Sequence, residues 1–267
     1  MFLNKKSLTK IRLLTGAYLV LSASCFLIAI LFSAWQIEYK SHIFLGCLSL
    51  ALMPIFYKIG HFSEGKGKLI TKGNQLICHQ LRPTEFVRLY EEKRDDPTNV
   101  IAKPDYDVLR LLLTAYDALE DTDSALEIID QMIQIAPAKK VHETMLLKAS
   151  VLFSIKNRTQ EAEAIYTDVV SAELGMLGKV LADAVMKSDR AMAFGDDATA
   201  EIFLKQSLTQ KFPKPTPLSR LSAHYHLAGI CYRANRLEEA EAHRKYCIEN
   251  GGQTGIQAKA VKGEIFQ

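Results

Sequence analysis

Cysteine is scarce and poorly placed for cross-linking. The 267 residues hold five, Cys25, Cys47, Cys78, Cys231 and Cys247, with no Cys-x-x-Cys pair. An odd, scattered set excludes a disulfide framework and fits free buried thiols in a reducing compartment. The short motifs of common chemistries are missing too: there is no Gly-x-Ser-x-Gly, His-Glu-x-x-His or Gly-x-Gly-x-x-Gly. Gly65-Lys66-Gly67-Lys68 lacks the spacing with which backbone amides surround a phosphate. A Cys–His nucleophile pair would converge in space and not in sequence, and nothing marks one. Charge is also lacking over most of the chain. Residues 1–60 carry six basic side chains against Glu38 alone, which leaves 27 basic and 29 acidic residues in the other 207. So neutral a body argues against nucleic-acid binding as the main role, and its frequent, periodic apolar residues exclude disorder for most of it.

What is present begins with two charge-free runs. Leu13 to Trp35 is long enough for a hydrocarbon layer of about 30 Å, and Ile43 to Tyr57, extended to Ile59 if Lys58 snorkels, is a short second span. Pro54 falls near its end, where a broken hydrogen bond is tolerable. The connection, Gln36 to His42, is so short that the runs form an antiparallel hairpin, with Trp35, Tyr39 and Tyr57 near the interfaces. Lys5, Lys6, Lys10 and Arg12 precede the first run and Lys58, Lys66, Lys68 and Lys72 follow the second. The excess of positive charge on that side predicts a multi-pass protein of the cell membrane with both termini in the cytoplasm. A cleaved signal peptide, a lipoprotein site at Cys25 and a buried helix pair are the weaker alternatives. The first run is too long for a signal, the leucine stands one place early for acylation, and flanking lysines suit a bilayer better than a core.

Residues 61–104 read as a juxtamembrane linker and capping helix. His61 to Asn74, with Gly65, Gly67 and Gly73, is expected to be flexible, and its lysines are placed to meet anionic headgroups. Pro83-Thr84-Glu85 opens a helix with the apolar stripe Phe86, Leu89 and Tyr90, ending at Asp95-Asp96-Pro97.

From Asp105 the pattern is helical and self-similar. One unit has Leu109, Leu112, Leu113 and Tyr116 on a first helix, then Ala125, Ile129, Met132 and Pro137. The second has Leu146, Ala149, Ser150 and Phe153, then Ala162, Tyr166 and Val169. The third, about 181–212, aligns only through Ala184, Ala191, Ala200, Leu204 and Ser207. The fourth has His224, Leu227, Ala228 and Cys231, then Ala240 and Cys247. The anchor alanines are Ala125, Ala162, Ala200 and Ala240. This array over 105–252 resembles the tetratricopeptide repeat (TPR) family, with wider spacing and with departures at Leu113, Lys187 and Arg244. The expected fold is all-α: a two-helix transmembrane hairpin within 1–60 (spans about 13–35 and 43–59), then an α-helical TPR-like solenoid of about four helix pairs. A C-terminal tail, 253–267, is expected to pack on the last pair. The general reason is that each pair has an apolar stripe that only stacking can bury.

The resemblance implies a concave groove that binds peptides or partner helices. By register its lining comprises Asp107, Arg110, Thr114 and Asp117; Leu147, Val151 and Ser154; Val185, Asp189 and Met192; and Tyr225, Gly229, Tyr232 and Arg233. Arg110, Asp117, Leu147, Val151, Met192, Tyr225, Tyr232 and Arg233 are the partner-binding candidates, a polar end grading into an apolar and aromatic one. Packing against neighbouring helices or the tail is the alternative role for them. The Lys and Asn set of the family's carboxylate-clamp subclass is missing, so chaperone tails are not expected ligands. His224, His226, His243 and Cys247 are the best metal candidates, but His224 and His226 point apart, and His224 and Cys247 are core positions with His243 outward. No metal, cofactor or catalytic residue is expected. The expected function is a membrane-tethered scaffold or adaptor for protein–protein interaction, with a peptide- or ligand-responsive sensor and an enzyme with an unrecognised site as rivals.

Overall fold

The computed structural model describes residues 65–95, 105–172, 174–211 and 214–266. The chain divides into units 1–71 and 72–267, and the architecture below is that of the second. Among the described residues no helix is long and apolar enough to cross a membrane; the expected spans, 13–35 and 43–59, lie outside them. The described chain is helical almost throughout and has no strand, as the all-α reading expected.

Residues 65–74 are helical and not the flexible segment that their glycines suggested. Gly73 serves close packing there: a Cβ would stand 2.5 Å from the Phe86 ring. A π-helical turn, Gln75–His79, leads to α1, Pro83–Arg94, which packs on the first helix pair. The pairs are α2 (Tyr106–Leu119) with α3 (Thr122–Ile135), α4 (Ala138–Phe153) with α5 (Thr159–Ser171), α6 (Met176–Val185) with α7 (Asp197–Thr209), and α8 (Pro217–Arg233) with α9 (Leu237–Asn250). A last helix, α10 (Gly255–Lys262), and a 3₁₀ turn (Glu264–Phe266) complete the fold. In the first, second and fourth pairs the apolar stripes face each other, the third is joined through the segment 186–193 between its helices, and successive pairs stack through α3 on α4, α4 on α6 and α7 on α8.

The turns repeat in atomic detail. Glu120, Gly195 and Asn235 each adopt the left-handed conformation. Their N–H groups donate to Asp117, Met192 and Tyr232, and the next N–H groups, of Asp121, Asp196 and Arg236, donate to Tyr116, Ala191 and Cys231 at 2.8–2.9 Å. This pair of bonds satisfies helix-end carbonyls that would otherwise be orphaned. The carbonyls of Asp121, Asp196 and Arg236 then accept from Ala125, Ala200 and Ala240. Side chains of Asp121 and Asp196 also cap the following helices through Ser124 and Thr199. The second pair departs: a 3₁₀ turn, Lys156–Arg158, lengthens its connection. All four anchor alanines are 0–1% exposed, including Ala162, because a larger side chain would hold the paired helices apart.

The third unit is where sequence and structure part. Its first helix starts at Met176, five residues ahead of the expected boundary, and runs through a π-helical turn, Met186–Arg190, to Ala193. The turn inserts extra chain, so a constant repeat register fails across it. Lys187, an oddity at an apolar place, sits in this turn and pairs with Asp183 at 2.9 Å.

The tail does more than pack on the last pair. Ile256, Ala260 and Ile265 join Leu221, Ala228 and Cys247 in a core that includes Leu81 from the other end of the unit. Arg244, in place of an aromatic, donates to the Ala260 carbonyl at 2.8 Å. Gln253 N–H donates to the Leu81 carbonyl at 2.8 Å. Lys259 on α10 pairs with Glu120 at the end of α2 at 2.7 Å. First and last elements of the array therefore meet.

Candidate functional site

The first helices of the pairs, α2, α4, α6 and α8, carry the register positions proposed for a groove, and the structure divides those positions between two places. Toward the N-terminal ends, Tyr106 and Arg110 of α2, Glu143 and Leu147 of α4, and Leu177, Val180, Leu181 and Ala184 of α6 enclose a cleft of about 170 Å³. Its lining is apolar except at Arg110 and Glu143. The Tyr106 hydroxyl meets buried Thr144 at 2.9 Å, and Lys140 lies over the Tyr106 ring while pairing with Asp107 at 3.3 Å, which fixes α2 against α4. A second hollow, bordered by Ala138, Lys139, His142, Leu174, Gly175 and Gly178, shares Glu143 with the first. On the rim, Met176, Leu177 and Val180 are 87%, 57% and 61% exposed. That is one apolar face of α6 left uncovered.

Toward the C-terminal ends lies a group of charged and polar side chains. Asp117 and Glu120 end α2, Asp189 lies in the π turn, and Tyr225, His226 and Arg233 belong to α8. Asp189 accepts hydrogen bonds from Ser150 of α4 and from Ser188. Burial raises its pKa, those two hydrogen bonds lower it, and His226 faces it. His226 is half-buried, and burial lowers its pKa against the opposing pull of Asp189 and Glu120. Asp117 is exposed at the surface; loss of solvation first, then the nearby Glu120 and Asp189, raise it to about 6. Lys259 stands between Glu120 and Tyr225.

Of the sequence candidates, Arg110 and Leu147 thus line the cleft, with Val151 half-buried one turn further along α4. Asp117 and Tyr225 belong to the charged group. Met192 packs against the core formed by Ala191, Ala200, Leu204 and Leu227. Tyr232 is 44% exposed, and Arg233 holds Asp197 at the start of α7 through two bonds of 2.6 and 2.8 Å. Apolar lining lies at the first three units and charge at their helix ends, because the early start of α6 brings Leu177 and Val180 beside Leu147. Leu177, Val180, Glu120 and Lys259 were missed. The first two carry a legible signal, an apolar i, i+3 pair outside the repeat register; Lys259 has none, since only the fold brings the tail to α2.

The metal candidates do not converge. His243 is not outward: its Nδ1 lies 2.8 Å from Nδ1 of His224, which stacks on Tyr246. Cys247 donates to the Leu221 carbonyl, and burial raises its thiol to about 12. Among the described residues the donor trio within 4.8 Å is Glu201, Cys231 and Glu239. Arg236 already pairs with both carboxylates, at 2.6 and 2.9 Å, and Lys205 with Glu201 at 2.6 Å. These cations hold Glu201 at about 2, so the trio is an ion network joining α7 to the α8–α9 turn. Nor is Ser150 an activated nucleophile: it donates directly to a carboxylate, where activation needs a base such as histidine.

No family model, curated protein or solved structure matches the chain. The class is defined by the fold alone: an all-α stack of helix pairs with repeated turns.

Proposed function

We propose that the chain is a membrane-tethered, TPR-like scaffold or adaptor that seats a segment of a partner protein on the cytoplasmic side of the membrane. The α2/α4/α6 cleft carries this reading. Its apolar floor beside Arg110 and Leu147 opens onto Met176, Leu177 and Val180, and an uncovered apolar patch next to a concavity is the usual form of a partner site. The three equivalent helix-pair turns support the TPR-like assignment. The two charge-free runs and the basic residues that flank them support the bilayer anchor and its orientation. Tethering confines the module to a surface and raises its effective concentration there.

The test is a Leu147→Glu, Val180→Glu double variant, purified from detergent extract beside the parent chain. We expect unchanged helical content and loss of the co-purifying partner. Retention of every partner would remove the cleft from the reading. A ligand-responsive sensor is the second reading, favoured by the Lys259–Glu120 pair that joins the last helix to the first pair; a ligand-induced thermal shift without a stable protein partner would support it.

A further inference from the structure

We propose that the partner at the α6 rim is a second copy of the chain, its α6 packed antiparallel on the first about a two-fold axis, each Lys179 opposite the other copy's Asp183. The proposal rests on the reading of the cleft as a partner site and names the occupant.

Helix geometry sorts α6 into three faces. At 3.6 residues per turn, Gly178, Ala182 and Val185 share one side, and they are buried. Leu177, Leu181 and Ala184 share the next and line the cleft. Met176, Val180, Asp183 and Lys179 share the third, where all four are exposed. The edge of this third face toward the cleft is apolar, with Leu177 beside Val180. Its far edge is charged, with Lys179 and Asp183 one turn apart and of opposite sign.

That layout is its own complement. Two antiparallel helices related by a two-fold axis bring the same edge of each together, so position 179 of one meets position 183 of the other, and the pairing occurs twice. Val180 of each copy then packs near the axis. An isologous contact requires such a self-complementary patch. Asp183 already holds Lys187 of its own helix at 2.9 Å, and a carboxylate has two oxygens, so an incoming ammonium displaces nothing. The cleft agrees with a helix as occupant. At about 170 Å³ it is smaller than the roughly 300 Å³ at which pockets begin to enclose small molecules, and it has room for apolar side chains at its mouth. Ten residues of helix make a contact at the small end of specific interfaces, so the pairing is reversible, and confinement on a membrane favours it.

The test is thiol crosslinking of the full-length Val180→Cys chain in living cells with a short, permeant bismaleimide. The described native thiols, Cys78, Cys231 and Cys247, are partly or fully buried, and the parent chain measures their background. We expect a crosslinked product of twice the chain's mass from Val180→Cys and none from Lys245→Cys. Adding Lys179→Asp sets like charges against each other and should cut the dimer roughly fivefold. Adding Asp183→Lys to that variant should restore it. The reversed pair leaves a lysine beside Lys187, so recovery cannot come from the helix itself. Absence of the dimer, an equal yield from Lys245→Cys, or a yield that Lys179→Asp leaves unchanged would overturn the proposal. So would failure of the reversed pair to recover it. If no dimer forms while the Leu147→Glu, Val180→Glu variant sheds another protein, this inference falls and the cleft reading stands. If that variant sheds nothing either, both fall.

Discussion

His224 and His243 make the last helix pair sensitive to acid. Their Nδ1 atoms share one hydrogen bond of 2.8 Å, so one ring must donate and the other accept. Burial, and then the neighbouring His243, lower His224 to about 4, against about 6.5 in an unfolded chain. Between those values the folded protein binds fewer protons than the unfolded one. The contribution is therefore present above about pH 6.5 and lost as pH falls toward 4. Burial lowers His243 as well, while Lys205, Arg236, Glu201 and Glu239 face it. His224→Phe keeps a ring over Tyr246, where the present rings stack at 3.8 Å, and removes the titration. We expect its Tm to fall less than that of the parent chain between pH 7.5 and 4.5. Equal falls would show that the pair does not set the acid response.

At the scale of elements, the loop before α10 locks the two ends of the array together. Gly252 stands at φ +60°, and a Cβ there would lie 2.7 Å from the Leu81 carbonyl oxygen. Gly252→Ala meets both the left-handed backbone and that carbonyl. We expect a loss of about 1–3 kcal/mol, read as a lower urea midpoint; an unmoved midpoint would mean that the loop does not bear on stability. Much at this scale was legible in the sequence. Pro83 opens α1 and the four anchor alanines are buried, because a helix-opening proline and small residues act locally. Gly195 and Asn235 suit left-handed turns, but Glu120 takes the same conformation without the sequence signal. The π turn, the early start of α6 and the return of α10 to α2 were not legible. Hydrophobic period reports which face is apolar and not which element covers it. For the same reason the register could put Arg110 and Leu147 on equivalent helix positions, but not show that Leu177 and Val180 of α6 complete the cleft beside them.

At the scale of the whole molecule, the described residues leave an apolar face of α6 open after the helix pairs have buried their stripes. That face is more than packing demands: the stacked cores of the array are already closed by Leu146, Phe153 and Tyr166 of the second pair and by Leu204, Leu227 and Ile230 across the third and fourth. The scaffold reading assigns the apolar surface to a partner and the basic, charge-free N-terminus to the bilayer. Both assignments meet in one experiment, replacement of Leu177 by photoreactive benzoylphenylalanine in the full-length chain, with irradiation in living cells and fractionation. We expect the chain in the membrane fraction, with one defined protein adduct that Leu147→Glu abolishes and that the same probe at exposed Lys245 does not give. Recovery of the chain in a detergent-free supernatant, or identical adducts from positions 177 and 245, would contradict it.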